Sequence, residues 1–131
     1  NLYKDISTSP IDRFQTIAGV LEEQAAPGSI VFNGSTDDFP FLIWQTTNFK
    51  FVNGLSSHYL AFQDPQRYLD WMKISGYREP PPDTGRMILE SFNANWVVVG
   101  IVKESLYSRL RQSKHATLVK STDSGYLFQL K

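Results

Sequence analysis

The chain has 131 residues, thirteen basic and thirteen acidic, so it has the size of one domain and lacks the basic surface that broad nucleic-acid binding requires. Hydrophobic residues make up 41% and aromatic residues 14%, enough for a packed core without covalent staples. Cysteine is absent, which excludes disulfides, thiolate metal sites and cysteine nucleophiles.

Residues 1–8 are polar and carry no periodic pattern. Ser9-Pro10-Ile11-Asp12 reads as a helix start, with serine as cap and proline at the first helical position. Ile11, Phe14, Ile17, Ala18 and Leu21 then recur at helical spacing, which predicts a helix to about Gln24, ended by Ala26-Pro27-Gly28. Ser29 to Phe32 is the first strand, and Asn33-Gly34 breaks it. A short helix is expected over 38–46, and Phe49 to Val52 is a second strand stopped by Asn53-Gly54. Asp64-Pro65 opens a further helix with Tyr68, Leu69, Trp71 and Met72 on its apolar face. No helix crosses Pro80-Pro81-Pro82. Another is expected from Asp83 to Phe92. The longest apolar run, Trp96 to Val102, falls short of a membrane span; the strand within it, Trp96 to Ile101, has the continuous β-branched character of a strand buried on both faces. Lys103 to Gln112 is helical with Leu106 and Leu110 inward, and Arg109, Arg111 and Lys114 read as a small solvated basic patch. The remainder forms two strands around the turn Thr122-Asp123-Ser124-Gly125.

Helices alternating with strands imply a three-layer α/β fold with a mostly parallel, Rossmann-like sheet of about five strands. The expected strand order is 2-1-3-4-5, with the final hairpin antiparallel at one edge. Ligands of such sheets bind beyond the carboxyl ends of the strands, where the strand order reverses. That point falls between the first and third strands, which makes Asn33, Ser35, Asp37, Asp38, Lys103 and Glu104 the candidate ligand-binding residues.

Asp37-Asp38 has two readings. Paired carboxylates can hold a hard cation or act as acid and base. Equally, Thr36 or Asp37 can cap the helix carrying Phe39 to Trp44, where negative charge is favoured. His58 and His115 have no metal-ligand spacing. There is no GxSxG elbow, no GxGxxG turn and no Walker A loop, so the common nucleophile and nucleotide signatures of α/β enzymes are missing. No cofactor and no metal are therefore expected. Most of the aromatics belong in the core; Trp44 and Tyr59 flank loops and are candidates for partner contacts.

Asp37-Asp38-Phe39-Pro40, Val52-Asn53-Gly54-Leu55, Tyr59 to Phe62 and Asp64-Pro65-Gln66-Arg67-Tyr68, together with the terminal Gly125 to Lys131, carry a family resemblance. The segment Pro27 to Ile74 resembles the soluble carboxyl-terminal domain of polytopic bacterial membrane proteins similar to the membrane-embedded glycosyltransferases that use lipid-linked sugars. A tryptophan near Thr36 and an Asp-Pro near Ser56-Ser57 would complete the pattern, and neither is present. The resemblance implies a single domain over 1–131, on the extracytoplasmic face of a bacterial membrane and joined to a membrane-embedded part of a larger chain. A first residue other than methionine gives the same expectation of a longer parent. It implies a carbohydrate or lipid-linked sugar as ligand, and a catalytic acid outside this chain. The alternatives are a small metal-assisted hydrolase or transferase using Asp37 and Asp38, and a protein-interaction module.

Overall fold

The computed structural model describes residues 14–34, 42, 48–52, 63–76 and 78–131. Within them, four helices and five strands follow in chain order. The first three are α1 (Gln15–Gln24), β1 (Ile30–Asn33) and β2 (Lys50–Phe51). Next come α2 (Pro65–Ser75), α3 (Thr84–Phe92) and β3 (Trp96–Gly100). The chain ends with α4 (Glu104–Gln112), β4 (Ala116–Ser121) and β5 (Gly125–Leu130).

Local chemistry sets most of these boundaries. α1 begins at Gln15 with Phe14 in the cap position, and the expected Ser9-Pro10 start lies outside the described residues. Asp64 caps α2 by accepting from the Arg67 amide at 3.1 Å, Pro65 occupies the first turn, and Gly76 ends the helix at φ 95°. That left-handed conformation suits glycine, which has no Cβ to clash. Asp83 caps α3 in the same way through the Arg86 amide at 3.0 Å, and Asn93 closes it at φ 54°.

β1 pairs in parallel with β2 on one side and with β3 on the other. β5 pairs antiparallel with both β3 and β4, giving the order β2-β1-β3-β5-β4. This corrects the expected order 2-1-3-4-5: the final hairpin is present, but its second strand lies inside and its first forms the edge. The reason is composition. Leu127, Phe128 and Leu130 on β5 are buried, whereas β4 is only half-buried and carries Lys120. The more apolar strand takes the position covered from both faces. Gly125 assists, because a Cβ there would collide with the Val99 carbonyl and stand 3.2 Å from the Gly100 Cα. In direction, β4 runs parallel to β3, so α4 is a crossover and β5 fills the gap between them.

Alternation along each strand builds two cores, which gives the three layers. Trp96 and Val98 face α1 with Val31 and Leu127, against Phe14, Ile17 and Leu21. Val97 and Val99 face the other way with Phe32, Phe128 and Leu130, against Trp71, Ile74, Ile88, Phe92, Leu106 and Leu110 from α2, α3 and α4. Fully burying one such side chain contributes about 1.5–3 kcal/mol, so these two stripes outweigh any single polar contact. No helix among the described residues is long and apolar enough to cross a membrane.

Candidate functional site

β1 lies between β2 and β3, and the chain leaves its two sides in opposite directions. The switch point expected from the sequence is thus realised above the carboxyl ends of β1 and β3. Asn33 pairs in register with Val98, and the next amide, Gly34, donates to the Val98 carbonyl at 3.1 Å. Gly34 lies close to α4: a Cβ there would stand 2.8 Å from Leu106 Cδ2, which would have to shift. The strand end therefore runs close under α4.

β3 stops at Gly100 rather than Ile101. The Ile101 amide donates to the Ser124 carbonyl, and the Lys103 amide to the Gly100 carbonyl, each at 3.0 Å. These bonds turn the chain into α4 and leave Ile101 46% and Val102 84% exposed. Lys103 is the cap residue of α4 and makes no side-chain capping bond; Glu104 is the acid in the first turn. Negative charge there opposes the helix dipole's positive end.

Three of the six sequence-derived site residues are described, and all three stand at this edge. Lys103 is half-buried and Glu104 exposed. Asn33 is 0% exposed, so it holds the strand end and offers no side chain to a ligand arriving from solvent. Ser35, Asp37 and Asp38 lie outside the described residues, as do Trp44, Tyr59, His58 and nearly all of the helix expected over 38–46. Leu42 alone of that helix is described, and it is buried against α1. Among the described residues no group of three or more His, Asp or Glu side chains could hold a metal ion.

A second polar cluster escaped the sequence reading. It joins α2, α3 and α4 where α3 begins. The Ser113 hydroxyl donates to Asp83, and the His115 amide donates to Ser113 Oγ at 3.2 Å. Burial pushes the Asp83 carboxyl up, but the Ser113 hydroxyl, the Arg86 amide, the His115 charge and the Lys114 amide outweigh it, so the group is held below its ordinary value. Arg109 turns inward from α4. It donates to the Lys73 carbonyl at 3.3 Å, to Thr84 Oγ1 at 3.5 Å and to the Ile74 carbonyl. This corrects the expectation of a solvated basic patch with Arg111 and Lys114: Arg109 clamps the end of α2 to the start of α3. Gly85 is the one sequence signal for this cluster, because a Cβ there would meet the Ser113 hydroxyl and stand 3.2 Å from its Cβ.

The described residues form a three-layer α/β fold with a topological switch point between β1 and β3. Comparison of the chain with protein-family models, curated proteins and solved structures finds no match to any of them.

Proposed function

We propose that this chain is a non-catalytic binding domain whose ligand surface is the crevice between the ends of β1 and β3. The observation that carries the reading is the switch point itself. Parallel, paired β1 and β3 end there beside the amino end of α4, where Lys103 makes no side-chain capping bond, and beside the exposed Ile101 and Val102. Open α/β sheets bind their ligands in such crevices. The half-apolar, half-polar rim suits a ligand with a ring face and hydroxyls, such as a carbohydrate or the sugar end of a lipid-linked sugar. Lys103 and Glu104 would supply the polar contacts.

The resemblance of Asp37-Asp38-Phe39-Pro40 and its neighbours supports the wider setting. In this reading the domain belongs to a larger bacterial membrane protein of glycosyltransferase type and lies on the extracytoplasmic face. It shapes an acceptor site, while the chemistry resides elsewhere in the parent. Titration of the domain with mono- and oligosaccharides, read by amide chemical shifts, tests the crevice. Shifts centred on Gly34 and 101–105 support it; their absence at saturating sugar removes it. Fractionation of source cells tests the setting: the domain in a larger membrane-bound species is the expected result, and a soluble species of its own size overturns it.

A further inference from the structure

The cluster at the start of α3 borders a cavity of about 200 Å³ between the proline loop and α4. Pro80, Pro81 and Pro82 form one wall, and Thr84, Arg109 and Gln112 line the other side with Asp83 and Ser113. The two charges of this cavity are treated differently by the protein. Asp83 has the Arg86 amide, the Ser113 hydroxyl and the positive end of α3. Among the described residues Arg109 has only uncharged acceptors: two main-chain carbonyls and the Thr84 hydroxyl. Among the described residues the ion pairs are Arg67 with Asp64 and Arg86 with Glu90, both exposed; Arg109 has no carboxylate within ion-pair distance. Burial lowers its pKa from the ordinary arginine value.

Carbonyl oxygens at the end of α2 account for part of a guanidinium's donors, and a guanidinium has more N–H groups than the three bonds formed. Its planar fork matches a carboxylate in two-point contact. We propose that this cavity is a second binding site, separate from the crevice, for a small organic carboxylate held by Arg109. The charge on Asp83 in the same cavity selects a monoanion over a phosphate dianion, because a second negative charge would be repelled. The proline wall suits a short aliphatic tail.

The test is a titration of the wild-type protein with propionate, followed at the Arg109 side-chain Nε–H and at the Thr84 and Gln112 amides, with sodium chloride at matched ionic strength as control. Saturable shifts confined to these groups support the site. Equal shifts at the exposed Arg67 and Arg86, or none, overturn it and leave Arg109 a helix clamp only. A larger response to inorganic phosphate than to propionate overturns the carboxylate assignment. Arg109→Lys keeps the charge but not the fork, and it should weaken propionate binding about tenfold or more. Gln112→Ala, which lies outside the clamp, should weaken it less while leaving the melting temperature unchanged. If Arg109→Lys remains folded and binds propionate as well as wild type does, the proposal fails.

Discussion

The amino ends of α3 and α4 are built in opposite ways. α3 starts at Asp83, whose carboxylate caps the helix, takes a hydroxyl from Ser113 and sits over a glycine that makes room for that serine. α4 starts at Lys103, whose own side chain makes no capping bond, and is preceded by two exposed apolar residues. A missing cap leaves about 1 kcal/mol of helix stabilisation unused. The α3 end faces a helix junction and has been closed by the protein's own groups. The α4 end stands at the switch point, and its cap residue supplies no such bond.

Substitutions at the two ends should therefore differ in size and kind. Asp83→Ala removes a cap and leaves the Ser113 hydroxyl without its acceptor, and should cost about 2 kcal/mol in urea unfolding. Lys103→Ala should change stability by less than about 0.5 kcal/mol; equal losses at both positions would abolish the distinction. Gly85→Ala adds helix propensity worth up to about 1 kcal/mol but crowds Ser113, and overpacking costs about 1–3 kcal/mol. The expected net result is a loss on the order of 1 kcal/mol in the same measurement. Lys103→Asp supplies α4 with the kind of cap that α2 and α3 have. It should gain about 0.5 kcal/mol and weaken sugar binding at the crevice, since a group of the protein then occupies the open end. A gain in stability with unchanged binding would separate the helix end from the ligand surface. Val102→Ser should be the mildest, within about 0.5 kcal/mol of wild type, with its effect confined to ligand affinity.

Acid discriminates between the ends as well. Asp83 has a folded-state pKa below its ordinary value. Its contribution is therefore fully present above the unfolded carboxyl value of about 3.9 and is lost as pH falls through the lower folded value. Thermal unfolding of wild type and Asp83→Asn from neutral pH downward should show the wild-type advantage shrinking below about pH 4. An advantage that stayed constant to about pH 2 would remove the charge from the account of α3.

Much of the fold was legible along the chain. Asp64-Pro65 and Asp83 announced two helices because a short acceptor side chain beside free amide groups is a local interaction. The Trp96 to Gly100 run announced a central strand because only burial on both faces rewards such a sequence. From these, the α/β class, the parallel β2-β1-β3 order and the position of the switch point all followed. The order of the last two strands did not follow, because a hairpin reads the same whichever strand lies inside. The choice rests on β5 being the more apolar strand and on the close approach of Gly125 to β3.

The candidate site divides along the same line. Strand order and a helix start place Lys103 and Glu104 at this edge, whereas the burial of Asn33 could not be read from the sequence. The exposure of Ile101 and Val102 was missed, since an apolar run gives no sign of where its strand stops until Ser124 and Gly100 turn the chain away. The inward course of Arg109 was missed for a similar reason. On one helix it is a cation among cations; only the packing of α4 against the end of α2 and the start of α3 gives it carbonyls to bind. The sequence by itself determined what is local or periodic in this protein: caps, turns, strand and helix identity, and which faces are apolar. Tertiary structure alone decided which strand sits inside, which charge turns inward and which residues lie against each other across the sheet. Each of these depends on contacts between segments distant in the chain, and no local pattern encodes a distant neighbour.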